Sequence, residues 1–229
     1  MPTIAIVGAG PGLGMAIART FGREGFSVAL VSRNRDKLDK LAADLEAEGI
    51  TATGFTADVT DRPSLTAALT AATEHFGSID VLEYSPADAS AGPLAPVDIR
   101  QTTPENVQPQ IEYYLYGGMT AVEAVLPAML DAGSGTIIVT TGAGSVRPVP
   151  MFGNVTAGGA ALRNWALNLG SALTSDATGV HLAHVAIGVW VTDDAPADNH
   201  VPSMSPSEIA PLYWDLHTTR AVHELVVER

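Results

Sequence analysis

Short apolar runs alternate with longer amphipathic stretches along the whole chain. Thr3 to Val7, Phe26 to Val31, Ile50 to Thr56, Ile79 to Tyr84, Gly135 to Thr141 and Val180 to Gly188 are nearly continuous hydrophobic segments, the pattern of strands buried on both faces. Val222 to Val227 reads as a closing edge strand. Between them the apolar positions recur at helical spacing, as with Leu38, Leu41 and Leu45 in Asp36 to Glu48. Helices are expected at Met15 to Gly25, Asp36 to Glu48, Pro63 to Phe76, Asn154 to Leu173 and Ser207 to His217, with Gly49 and Gly77 as stops. A further helix starts between Pro104 and Gln110 and ends by Ala132. Pro104 and Pro109 compete for its first turn, and Pro127 bends its last turns. Asn154 is a candidate cap for the helix it opens.

Strands alternating with helices at this rhythm predict an α/β fold: a Rossmann-like, doubly wound parallel sheet of about seven strands with right-handed crossovers. Residues 1–229 read as a single domain, because no linker, repeat or low-complexity tract divides them, with 189–217 as a substrate-side loop and short helix. Ligands of such sheets lie beyond the carboxyl ends of the strands. Those ends carry Gly8 to Gly14, Ser32 to Arg35, Asp58-Val59, Tyr84 to Ala87, Gly142 to Ser145 and Gly188 to Thr192.

Composition narrows the partner. With 229 residues and 46% of them apolar, the chain can bury one substantial core. A formal charge of −13 argues against nucleic acid and against an anionic membrane surface, which leaves a small molecule as the expected partner. There are no cysteines, so thiolate metal sites and a cysteine nucleophile are excluded. Met1-Pro2-Thr3 runs into the first strand without a basic leader, and no apolar run reaches membrane-spanning length, so a cytoplasmic protein is expected.

The chemistry begins at Gly8-Ala9-Gly10-Pro11-Gly12-Leu13-Gly14, between the first strand and the first helix. A dinucleotide pyrophosphate needs backbone N–H groups at a helix N-terminus with no Cβ atoms in the way, and Gly8, Gly10, Gly12, Leu13 and Gly14 suit that need. At the end of the second strand, where an acidic residue would hold an NAD ribose, the chain reads Ser32-Arg33-Asn34-Arg35. A hydroxyl and two guanidinium groups suit a 2′-phosphate, so NADP(H) is the expected cofactor. Asp58, followed by Val59, either accepts from an adenine amino group or caps the next helix.

On these residues the chain resembles the short-chain dehydrogenase/reductase superfamily from about Thr3 to Thr192. The matching pieces are Gly8 with Gly12-Leu13-Gly14, Asp58-Val59, Leu126-Pro127, the Gly135 strand and Ala160-Ala161-Leu162. In addition, Tyr213-Trp214-Asp215-Leu216-His217 is similar to the tails of one bacterial branch of that superfamily. The resemblance implies cofactor contacts from Ser85, Gly188 and Thr192, and a homodimer or homotetramer through the two long helices. The family's Tyr, Lys, Ser and Asn roles fall on Val155, Gly159, Gly142 and Tyr114, none of which keeps the family's residue. The family's Asn-Asn-Ala-Gly block likewise falls on Tyr84-Ser85-Pro86-Ala87.

Other groups compete for the vacated chemistry. Tyr114 brings a phenol toward the space left by Val155 and Gly159, as a catalytic hydroxyl or as packing. Tyr84 and Ser85 sit at a strand end that should approach the cofactor, or Tyr84 is structural, and Ser145 offers a hydroxyl from the loop or is simply solvated. Glu83 interrupts a buried strand and is expected either to pair with an arginine, the favoured reading, or to hold a raised pKa. His181 and His184 are three apart on a strand and point to opposite faces, so they do not chelate a metal. His200 beside Asp198 could reach a ligand from a lid. Trp190, Met151 and Phe152 are expected in an apolar pocket wall. Two functions follow: an NADP(H)-dependent oxidoreductase with an unconventional active site, acting on a small, fairly apolar carbonyl, enone or imine, or a catalytically silent NADP(H)-binding sensor or scaffold.

Overall fold

The computed structural model describes residues 1–87, 92–194 and 202–229. Strands β1 (Thr3–Val7), β2 (Ser27–Ser32), β3 (Ala52–Thr56), β4 (Val81–Tyr84), β5 (Gly135–Gly142) and β6 (Val180–Ile187) alternate with helices, and β9 (Glu224–Val227) closes the sheet. The seven strands lie in the order β3-β2-β1-β4-β5-β6-β9, and every pairing is parallel. The order reverses at β1, so the crevice beyond its carboxyl end is the switch point where ligands of such sheets bind. The doubly wound expectation holds, including the edge position of the last strand.

Both faces are covered because β-strand side chains alternate. Ile4 and Ile6 of β1 join one core cluster with Ile17 and Phe21 of α1 (Leu13–Arg23), Leu38, Leu41 and Leu45 of α2 (Arg35–Ala47), and Tyr213 and Leu216 of α7 (Pro206–Thr219). Ala5 and Val7 join the opposite cluster with Leu65 and Leu69 of α3 (Arg62–Phe76), Val122 and Val125 of α5 (Gly117–Ala132), and Leu162 and Ala166 of α6 (Gly153–Ser175). Trp214 and His217 give the tail a packing role, since their rings sit 5.2 Å and 5.7 Å from that of Phe21 and pin α7 onto α1.

The long middle helix keeps the expected bounds, from Pro104 to Ala132, but is not uniform. Pro104 takes the first turn of α4 (Pro104–Gln110), with Thr103 and Asn106 forming a reciprocal capping box. Pro109 therefore lies inside the helix, and the backbone widens into a π-helical stretch over Ile111–Tyr116 before α5 begins. Pro127 sits within α5, which runs on to Ala132. Asn154 is not the cap of α6, which starts one residue earlier. Its fully buried side chain instead accepts the Val97 N–H at 2.8 Å and donates to the Ala95 and Asn106 carbonyls, tying the crossover loop to α4 and α6. The stretch after β6 holds two short paired strands, β7 (Trp190–Val191) and β8 (Ser203–Met204). No helix among the described residues is long and apolar enough to cross a membrane.

Candidate functional site

The glycine turn is built by β1 and anchored by its neighbours. Gly8 has φ +103°, a conformation that L side chains rarely adopt, and its N–H and that of Ala9 both donate to the Val31 carbonyl. A Cβ at Gly8 would stand 2.7 Å from the Pro86 backbone, so the turn and the end of β4 meet main chain to main chain. At Gly12 a Cβ would meet nothing, and at Gly10 only a carbonyl 3.9 Å away. Those two glycines open onto free space beside the N-terminus of α1, which no side chain caps. This shape fits a dinucleotide, because a pyrophosphate can approach the backbone where a Cβ would otherwise stand.

A cleft of about 380 Å³ lies here, lined by Gly8, Gly10, Gly12, Leu13, Gly14 and Ser85, and on its far side by Tyr114, Thr140, Thr141 and Gly142. A second cavity of about 420 Å³ adjoins it, with walls from Phe152, Val155, Gly159, Gly188, Val189 and Trp190. Tyr114, Gly142 and Ile187 line both. Tyr114, Gly142, Val155 and Gly159, remote in sequence, therefore share one chamber. Burial raises the Tyr114 phenol above its ordinary range, so it keeps its proton and can donate a hydrogen bond. Met151 is exposed and outside this wall, in contrast to the sequence expectation, while Phe152 and Trp190 are in it.

The remaining candidates stand outside both cavity walls. Asn34 caps α2, accepting the Lys37 N–H at 2.9 Å, and Arg35 pairs with Asp39 at 2.8 Å one helical turn on. Ser32 ends β2, and Arg33 is exposed just after it. Asp58 does not cap α3. It accepts from the Thr60 N–H and hydroxyl, and Asp61 is the cap. Val59 is buried in the core. Thr192 accepts the Asp194 N–H at 3.0 Å. Asp198 and His200 lie outside the described residues.

Two buried polar networks flank the site where the sequence suggested isolated residues. Glu83, fully buried, does not pair with an arginine among the described residues. Its carboxylate accepts from Ser85 at 2.7 Å and Thr140 at 3.0 Å, and Tyr213 meets Thr140 at 2.9 Å. Burial pushes its pKa up to about 7, against the pull of those hydrogen bonds. On the opposite face, Ser145 is buried rather than solvated and bonds to Thr141, which also meets His184. His181 stacks obliquely on His223, and burial, with His223 next, lowers its pKa to about 4. The visible signal for both networks was a hydroxyl pair, Thr140-Thr141, ending an otherwise aliphatic strand. Strand alternation sends one hydroxyl to each face.

A sheet with its order reversed beside a Gly-rich strand-to-helix turn defines a nucleotide-binding α/β domain. The chain belongs to the short chain dehydrogenase family, whose profile matches residues 2–200. It is 36% identical over 138 residues, 59% of this chain and 51% of the relative, to 2-(S)-hydroxypropyl-CoM dehydrogenase 3 of Xanthobacter autotrophicus. Among solved structures it superposes on an actinorhodin polyketide ketoreductase with NADPH at a TM-score of 0.83, with 25% identity and 99% and 95% of the two chains covered. An alcohol dehydrogenase from Thermococcus sibiricus complexed with 5-hydroxy-NADP gives 0.79, 27% identity, and 99% and 96% coverage. The chain spans about half the length, or less, of the curated relatives it matches.

Proposed function

We propose that this chain is an NADP(H)-dependent oxidoreductase that acts on a small, fairly apolar carbonyl, enone or imine. The observation that carries the reading is the shared wall. Tyr114 faces both the glycine-lined cleft and an apolar cavity large enough for a small substrate. Gly8, Gly10, Gly12, Leu13 and Gly14 would cradle the pyrophosphate, with Ser85 alongside, and Ser32, Arg33 and Arg35 at the end of β2 would receive a 2′-phosphate. When bound, the nicotinamide supplies hydride. Phe152, Val189 and Trp190 shield the substrate from water, and the protonated Tyr114 phenol donates a hydrogen bond to its oxygen. The solved relatives described with NADPH and 5-hydroxy-NADP support a nicotinamide dinucleotide in the cleft, and the basic end of β2 supports NADP(H). Leu126, Trp165 and Leu169, half-buried hydrophobics on α5 and α6, support a homodimer or homotetramer through these helices.

NADPH binding followed by fluorescence, then NADPH oxidation against carbonyls, enones and imines, tests the reading. Binding with turnover is expected, and Tyr114→Phe should cost about tenfold or more in kcat while leaving NADPH affinity unchanged. One observation favours a second reading: Gly142, Val155 and Gly159 bring no proton-bearing side chain to the chamber. Tight binding without turnover across the panel would make the chain a silent NADP(H) sensor or scaffold, and no nucleotide binding would sink both readings.

A further inference from the structure

Under the glycine-lined cleft a carboxyl group is held by two residues of the cleft wall. Ser85 and Thr140 both line the cleft and both donate to Glu83, Ser85 Oγ to Oε2 at 2.7 Å and Thr140 Oγ1 to Oε1 at 3.0 Å. Glu83 itself is fully buried and takes no part in the wall. The turn that suits a pyrophosphate lies next to it, since a Cβ at Gly8 would stand 2.7 Å from the Ser85 carbonyl carbon. Glu83 sits in register between Ile6 of β1 and Ile138 of β5, and α1 covers that face with Met15 and Ile17, so these neighbours are apolar. Tyr213 of α7 is the titratable group that faces it, and burial, then the Glu83 charge, keeps that phenol protonated.

These hydrogen bonds decide what each charge state of Glu83 shows to the cleft. When Glu83 is ionised, its oxygens accept both hydroxyl protons, and Tyr213 donates in turn to Thr140 at 2.9 Å. Ser85 then turns only lone pairs toward the cleft. When Glu83 is protonated, the added O–H has two places to point. On Oε1 it would take the Thr140 oxygen, turn the Thr140 proton onto Tyr213 and strand the Tyr213 proton among buried side chains. On Oε2 it donates to Ser85, and the displaced Ser85 proton turns into the open cleft, where solvent or a ligand receives it. Protonating Glu83 therefore converts Ser85 from an acceptor into a donor. Burial, opposed by the Ser85 and Thr140 hydrogen bonds, sets that exchange at a pKa of about 7.

We propose that Glu83 takes up a proton when the dinucleotide binds, so that the Ser85 hydroxyl turns outward and donates to an oxygen of the nucleotide. This rests on the nucleotide-binding part of the reading above. Two effects act in the same direction. The dinucleotide is an anion, and its charge near a buried carboxylate disfavours the ionised form, more strongly in a protein interior than in water. Its phosphate and ribose oxygens also accept hydrogen bonds, which Ser85 can donate only once its proton is released from Glu83. The proton comes from solvent and stays on Glu83 Oε2 until the nucleotide leaves, and no covalent bond of the nucleotide changes. Glu83 is thus a positioning residue that acts through Ser85. Affinity is tight while Glu83 is protonated and falls as pH rises above neutrality.

Calorimetry of NADPH binding between pH 7 and pH 8.5, in buffers of different ionisation heat, counts the protons taken up by the wild type, Glu83→Gln and Ser85→Ala, with thermal unfolding as the folding control. A phosphate monoester has its second ionisation near about 6, below this range. At pH 8 the wild type should take up about half a proton or more per nucleotide, and its Kd should rise about fivefold or more from pH 7 to pH 8.5. The amide of Glu83→Gln imitates the protonated acid, donating to Ser85 and accepting from Thr140. That variant should take up no proton, and at pH 8.5 its Kd should lie about fivefold or more below the wild-type value. Ser85→Ala should weaken binding about tenfold at pH 7 and less at pH 8.5. The 13C signal of the Glu83 carboxyl gives a readout without any variant: it should titrate near neutral pH in the nucleotide-free chain and keep its protonated position at pH 8 with NADPH bound. NADPH binding without proton uptake, a Glu83 titration that NADPH leaves unmoved, or equal uptake by Glu83→Gln overturns the proposal. Wild-type affinity in Ser85→Ala at pH 7 overturns the hydroxyl switch. A wild type that binds no NADPH at any pH overturns the nucleotide-binding reading itself, a failure seen before any proton is counted.

Discussion

Thr140 donates its hydroxyl to the Glu83 carboxylate at 3.0 Å, at a depth where both side chains are buried and no cation among the described residues pairs with the acid. The carboxylate is held by hydroxyls alone, and its pKa rises from 4.5 to about 7.

That relationship fixes a pH dependence of stability. Between about 4.5 and 7 the folded chain holds a proton on Glu83 that the unfolded chain has released, so stability falls as pH rises through this window and levels off above it. The size is on the order of 3 kcal/mol. Glu83→Gln should flatten this part of the profile, leaving the variant relatively more stable at pH 8 than at pH 4.5. Urea unfolding of both proteins across that range checks it, and parallel profiles would refute the assignment.

Gly8 and Gly10 should separate folding from binding. Gly8→Ala places a Cβ 2.7 Å from the Pro86 backbone at a positive φ and should destabilise the chain by at least about 1 kcal/mol. Gly10→Ala meets nothing closer than 3.9 Å, so stability should stay within about 0.5 kcal/mol. Nucleotide affinity should nevertheless fall about tenfold or more, because the new methyl enters the cradle. Calorimetry and NADPH fluorescence titration on the same preparations distinguish the two effects.

Arg35 is engaged with Asp39 in an exposed pair, a contact of little weight, so Arg35→Ala should change stability by less than about 0.5 kcal/mol. If the end of β2 receives a 2′-phosphate, the same variant should weaken NADPH binding about tenfold or more while leaving NADH binding unchanged. Equal losses for both nucleotides would remove Arg35 from the cofactor site.

Tyr84 is fully buried, and its hydroxyl donates to the Tyr113 carbonyl at 2.5 Å in the widened turn before α5. Tyr84→Phe removes that buried hydrogen bond and should cost about 0.5–1.5 kcal/mol. Because Tyr114 is the next residue, the variant should also disturb the wall shared by the two cavities. A midpoint of denaturation equal to wild type would show that this hydrogen bond carries no net stability.

The sequence by itself determined the sheet, its parallel winding and the glycine cradle, because these rest on local periodicity and on the backbone freedom of a few glycines. Leu38, Leu41 and Leu45 announced their helix, and Gly8 to Gly14 announced the turn. Tertiary structure alone decided that Glu83 is held by hydroxyls and not by an arginine, that Asp61 rather than Asp58 caps α3, and that Asn154 ties a loop instead of starting a helix. It also decided that Ser145, Thr141, His184 and Glu224 form one line. Except for the Asp61 cap, these outcomes include contacts between residues far apart in the chain, as Thr140 and Glu83, Val97 and Asn154, or His184 and Glu224 are, at separations of 57, 57 and 40 residues. Side-chain hydrogen bonds at such separations leave no periodic trace in the chain, and only packing reveals them.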